Sequence, residues 1–252
     1  MSKTTGERAP HDTTDRTNAE PDHAVPSRMR RGSLRATGSP TSWRTVDILT
    51  IAFLGAALGV AFWGWGIFYN GPITALKIGY APLMGLFAGP WFLAGVVGGL
   101  VVRRPGAALL CEVVAGLVSM LPGTEWGATV LVSAILQGLG AELVFAALGY
   151  RRFGVVAASV AGLLSAPLEW LFETLKFPSA WSGKPVLGVL ADGGGWYADW
   201  VLRDKVAYLV CLGISGILLA GVLGWVLVRA LASAGALNAF PVGQERLERR
   251  AV

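Results

Sequence analysis

The chain has 252 residues, 54% hydrophobic and only 15% charged, with net charge +5 and mean hydropathy +0.56. A soluble domain usually carries about a quarter charged residues; here eight of the 21 Lys and Arg precede residue 45, and the central stretches are nearly charge-free. That segregation excludes an ordinary soluble protein and predicts an integral membrane protein with a polar N-terminal tail.

Residues 1–43 are rich in Thr, Ser, Pro, Arg and Asp. They cannot bury enough apolar surface to offset the entropy of ordering, so a disordered cytoplasmic tail is predicted. No apolar run follows the start, so no cleaved signal peptide is expected. The basic stretch "RMRRGSLR" (28–35) reads as a juxtamembrane anchor on anionic lipid rather than a specific nucleic-acid site.

A membrane-crossing helix needs about 20 apolar residues. Six windows qualify along 44–231: 46–67, 79–102, a short one at 106–121, 128–149, 154–175, and a long one at 203–230. Residues 232–252 form a C-terminal tail. With the N-terminus inside, sixteen of the 21 Lys and Arg lie on the inner side, including Arg103, Arg104, Arg151, Arg152 and Arg229. The outer side keeps Lys77, Lys176, Lys184, Arg203 and Lys205. This bias places both termini in the cytoplasm. The fold class is an all-α integral membrane protein of six transmembrane helices, located in the cell membrane, with a bacterial plasma membrane expected.

In the first span, Ala52 and Ala56 lie four residues apart, as do Gly55 and Gly59. Such small faces serve either internal packing or docking of another membrane subunit. Cys111 and Cys211 have no CxxC partner, and both read as small buried hydrophobes.

Carboxylates inside a membrane are costly and usually face a cavity or a partner. The candidates are Glu112, Glu142, Glu169 and Glu173, with Gln137 beside them in sequence. Glu142 lies deepest and ranks first as a ligand residue. Glu112 could instead pair with Arg103 or Arg104, Gln137 could be interhelical glue, and Glu169 and Glu173 could pair with Lys176. Aromatic residues accompany them: Trp91, Trp126, Trp170, Trp196 and Tyr197. Carboxylates and aromatic faces without central basic residues suit a cationic or amine-bearing aromatic ligand. The loop 176–202 reads either as part of the interfacial aromatic belt or as a lid hinged at Gly193–Gly195.

Both histidines, His11 and His23, lie in the tail, so no Ser-His or Cys-His pair falls in the membrane. No metal-ligand spacing and no GxxxxGK[ST] loop is present. Neither enzyme activity nor a cofactor is expected, and ATP-driven transport would need ATPase subunits on other chains. An alternative is a small proton-coupled secondary transporter using the intramembrane glutamates.

The stretches "RRPGAALLCEVVAGLV", "ILQGLGAELVF" and "ISGILLAGVLGWVL", with "ALNAFPVGQE" following, resemble the YkoE family. Its members are substrate-binding S components of energy-coupling-factor (ECF) transporters for thiamine and its hydroxymethylpyrimidine precursor. The resemblance spans about residues 43–245. It implies an S-component-like six-helix bundle with its ligand pocket toward the outer face. The partners it implies are a transmembrane coupling subunit and ATPase subunits. It also makes Ala52 and Ala56 the coupling-subunit contact, and Glu112, Gln137 and Glu142 ligand-site candidates.

Overall fold

Helix α1 (Thr45–Asn70) begins at a charged knot. Asp47 accepts the Arg44 backbone N–H at 2.9 Å and the Arg44 guanidinium at 2.7 Å. It also accepts Arg104 Nε at 2.7 Å, with both of those side chains fully buried. The computed structural model describes residues 34–36, 38–39, 42–75, 79–179, 182–184 and 187–250. Most of the expected disordered tail, 1–33, therefore lies outside the described residues, as do Lys77 and Trp181. Leu34 is held in place: its N–H donates to Glu245 and its carbonyl accepts from Arg103.

The described residues contain helices and no strand. After α1 come 3-10 turns at Pro72–Ala75, Ala81–Phe87 and Gly89–Phe92, then α2 (Leu93–Val102) and α3 (Ala107–Met120). Helices α4 (Thr129–Ala147) and α5 (Val155–Thr174) follow, with a short α6 (Leu187–Gly193). Helix α7 (Leu202–Ser215) runs through a π-helical segment, Gly216–Val222, into α8 (Leu223–Ser233). A terminal α9 covers Pro241–Arg250.

Every residue from Ala94 to Val102 is buried, so α2 is the central helix. Its apolar side chains all round fit that position. Around it α1 packs on α3, α3 on α4, α4 on α5, and α5 on the π segment. The periphery is apolar as well: Phe53, Val60 and Ile67 on α1, and Val206, Val210 and Ile214 on α7, all point outward. A chain whose outer stripes and inner core are both apolar is built to sit in lipid.

Four helical stretches are long and apolar enough to cross a membrane: 45–75, 129–147, 155–174 and 202–233. A fifth arises if the bent pair Ala81–Phe87 and Gly89–Val102, kinked by 41°, counts as one span. The expected third span is only 14 residues long, or about 21 Å at 1.5 Å per residue. That falls short of the roughly 30 Å hydrocarbon core. By length and composition four or five spans qualify, and α3 is the short apolar helix at the place of the remaining one expected.

The kink has a clear cause. Pro82 and Pro90 each open a 3-10 turn, and neither can donate a helical hydrogen bond. The freed backbone groups are answered by α7: Ser215 Oγ accepts the Gly89 N–H at 2.7 Å and donates to the Leu86 carbonyl at 2.8 Å. Such breaks at membrane depth persist only where protein satisfies them or a cavity is lined. Both conditions hold here. Close backbone approach secures the opposite side: a Cβ on Gly162 would sit 2.1 Å from the Gly216 carbonyl oxygen.

Candidate functional site

Where the second span breaks, a cavity of about 370 Å³ opens at the bundle end away from Arg103 and Arg104. Its wall combines the end of α1, the break itself, α3, α4, α5, α7 and the loop before α7. It has the size of a small-molecule site.

Glu112 sits on the floor. Its Oε2 accepts the Gly95 backbone N–H at 2.5 Å. Gly95 is the third residue of α2, and the first turn of a helix has donors without intrahelical partners. The break in the span therefore creates the donor that Glu112 satisfies. Its other oxygen, Oε1, is buried without a hydrogen-bond partner among the described residues, and the residue lines the cavity. Pairing with the arginine turn does not occur: Arg103 bonds Glu245 at 2.7 Å and Arg104 bonds Asp47.

Glu169 and Glu173, one turn apart on α5, also line the cavity. Glu169 Oε1 accepts Ser133 Oγ at 2.7 Å. Both Glu169 Oε2 and Glu173 Oε2 are buried without partners among the described residues. Lys176 is not their counter-ion, because it reaches Asp199 on an exposed surface. Gln137 lines the cavity, and its backbone carbonyl accepts Ser165 Oγ at 2.7 Å from α5. It is thus both an interhelical link and a wall residue.

The aromatic wall is continuous. Tyr69 and Trp91 meet edge-on at 4.8 Å, Trp91 and Trp126 at 5.4 Å, and Trp126 stacks near Trp196 at 6.5 Å. Tyr197 closes one side, stacked on Trp200 at 4.2 Å. Burial pushes the Tyr197 phenol above its ordinary range, and the Glu173 and Glu169 carboxylates push it further, so it stays a neutral hydroxyl. The loop bearing Trp196 and Tyr197 is tied down. The Gly195 N–H donates to the Phe172 carbonyl and the Tyr197 N–H to the Glu173 carbonyl. Lys205 Nζ bridges the Thr174 and Ala198 carbonyls. The glycines expected as a hinge meet packing demands: a Cβ on Gly193 would collide with Thr129, and Gly195 adopts φ +70°.

Two expected ligand residues lie elsewhere. Trp170 faces away and donates its indole N–H to the Lys205 carbonyl at 2.8 Å. Glu142, ranked first from its depth, is absent from the lining; its carboxylate accepts the backbone N–H groups of Gly106, Ala108 and Leu109. Tyr150 donates its hydroxyl to the same carboxylate. Burial and that neighbouring charge push the Tyr150 phenol up. Glu142 is thus an anionic cap on the α3 N-terminus, where backbone donors and the helix dipole favour negative charge. Depth alone could not distinguish a cap from a ligand residue.

Several wall residues were missed: Tyr69, Ser133, Tyr208 and the exposed Glu125 at the mouth. A lone tyrosine inside an apolar span was an available signal for Tyr208, since a buried phenol needs a polar partner. On α1, Gly55 and Gly59 face inward against Val114 and the Ala115 carbonyl, whereas Ala52 is exposed and Ala56 half-buried.

A lipid-facing helical bundle enclosing a cavity of carboxylates and aromatic rings defines a membrane-embedded solute-binding protein. Comparison with known proteins agrees. Residues 46–168 match a family model described as an ABC-type cobalt transport system, permease component. The chain is 31% identical over 215 residues to YkoE of Bacillus subtilis (strain 168), a protein named for HMP/thiamine permease activity. That match covers 83% of this chain and 94% of the relative. The fold also matches a crystal structure of an S component of an ECF transporter, with TM-score 0.70 and 28% identity, covering 83% of this chain and 96% of that one. The chain belongs to the YkoE family of ECF-transporter S components, which bind and transport substrate and are not enzymes.

Proposed function

We propose that this chain is the substrate-binding subunit of an importer for thiamine or its hydroxymethylpyrimidine moiety, which it captures from the outer face. The supporting observation is the cavity's chemistry. Glu112, Glu125, Glu169 and Glu173 line it together with Trp91, Trp126, Trp196, Tyr69, Tyr197 and Tyr208, and among the described residues the lining contains no Lys, Arg or His. Carboxylate oxygens accept hydrogen bonds from an aminopyrimidine, and aromatic faces attract a thiazolium cation. The relative's name points to the same ligand class. A metal cargo suits the site less well: among the described residues no group of three or more His, Cys, Asp or Glu is placed to hold a metal ion.

In this reading both termini and the Arg103–Arg104 turn face the cytoplasm, and the break, α3 and its neighbours complete a six-span bundle. Exposed Ala52 and half-buried Ala56 meet a coupling subunit, and ATPase subunits on other chains supply the energy. Calorimetric titration of the purified chain with thiamine and hydroxymethylpyrimidine is the direct test. Binding of either supports the assignment, and no heat with both removes the ligand claim.

A further inference from the structure

Carboxylates stand at both depths of the candidate site. Glu112, Glu169 and Glu173 line its interior, each more than nine-tenths buried. Each also has one oxygen without a hydrogen-bond partner among the described residues. Glu125 stands exposed at the mouth, on the turn between α3 and α4.

The basic side chains described nearby are engaged outside the cavity. Lys176 reaches Asp199 at 3.3 Å, and Arg203 reaches Asp204 at 3.1 Å. Lys205 Nζ donates to the Thr174 and Ala198 carbonyls at 3.1 and 2.6 Å. None of these, nor Lys184, lines the cavity. Hydroxyl donors of the wall are committed as well. Ser133 Oγ donates to Glu169 at 2.7 Å, Ser119 Oγ to the Gly116 carbonyl at 2.8 Å, and the Tyr208 hydroxyl to Glu173.

We propose that the cavity takes the unphosphorylated ligand and rejects its phosphate esters, with Glu125 a specificity-determining residue at the mouth. This rests on the thiamine or hydroxymethylpyrimidine reading above. A phosphate monoester adds a charge of about −1.5 to −2 at neutral pH. The ester is made on the ligand's alcohol, so the phosphate stays within a few bonds of the ring that the aromatic wall holds. It must lie either inside, among Glu112, Glu169 and Glu173, or at the mouth beside Glu125. Like charges set against each other at a binding surface suppress the wrong partner. A buried phosphate also needs paired donors, and the wall's hydroxyls are already turned elsewhere. Neutral hydroxymethylpyrimidine and cationic thiamine meet neither penalty, so repulsion sets the specificity here alongside attraction.

The test is calorimetric titration of the purified full chain with two pairs: hydroxymethylpyrimidine against its phosphate, and thiamine against thiamine monophosphate. Each ester is expected to bind at least about ten-fold more weakly than its parent. Raising the salt should narrow that ratio, because charge at the exposed mouth is screened. Glu125→Gln should narrow it about two-fold and Glu125→Lys about five-fold, the size of one exposed charge contact. Esters binding within about two-fold of their parents would overturn the exclusion. A ratio unchanged in both Glu125 variants would overturn the role of Glu125. No heat with either parent compound is a different result: it overturns the ligand reading itself, and this inference with it.

Discussion

Glu112 Oε2 caps Gly95 at 2.5 Å, and its Oε1 is buried without a hydrogen-bond partner among the described residues. One side chain thus holds the start of the central helix and stands in the wall of the candidate site. Glu112→Gln keeps an oxygen that can accept from Gly95 but replaces the second oxygen with an amide donor. Ligand affinity should fall roughly 10-fold, the range for setting a donor against a buried donor, with the fold retained. Titration calorimetry beside circular dichroism checks both halves.

Glu142 predicts the reverse pattern. Its carboxylate accepts three backbone N–H groups and the Tyr150 hydroxyl. Glu142→Gln introduces an amide donor facing donors and should destabilise the protein by about 2 kcal/mol. Thermal unfolding should show the drop while ligand affinity changes by less than about two-fold, within ordinary surface-mutant scatter. A large affinity loss without destabilisation would contradict the capping role.

Trp126 touches Trp91, Tyr69 and Trp196 and so sits mid-wall. Trp126→Leu keeps apolar volume but removes the ring face. Thiamine, which carries a cation, should lose more affinity than neutral hydroxymethylpyrimidine, by about 1–2 kcal/mol of cation–π attraction. Equal losses for the two ligands would place the thiazolium elsewhere.

Asp47 accepts from both Arg44 and Arg104, with no exposure of its side chain. Asp47→Asn leaves the buried Arg104 guanidinium short of its counter-charge. Breaking such a pair from one side costs about 3–5 kcal/mol. Chemical denaturation in detergent should show this, and Asp47→Glu should recover part of it.

Ala52 and Ala56 predict a functional loss without a binding loss. Replacing Ala52 by Trp adds bulk to an exposed position, so the isolated chain should bind ligand normally. Uptake in cells that contain the partner subunits should fail. Loss of ligand binding in that variant would place Ala52 in internal packing instead.

Charge segregation and apolar windows made the membrane class and the α-helical content legible, because lipid demands long apolar stretches and tolerates no unpaired backbone. The motif around Glu112 likewise pointed to the right family. Composition also picked out the residues that the fold gathers at one cavity: Glu112, Gln137, Glu169, Glu173, Trp91, Trp126, Trp196 and Tyr197. What each carboxylate bonds was decided only in three dimensions. Glu112 and Glu142 read alike as acids in apolar helices, yet one meets a helix start exposed by a Pro-induced break and the other meets the start of α3. Helix N-termini offer unpaired donors, and which side chain reaches them depends on how the helices stack. The same holds for the arginines. The positive-inside pattern put Arg103, Arg229 and Arg246 at one end, but only packing of α2, α8 and α9 brought them around a single small cavity.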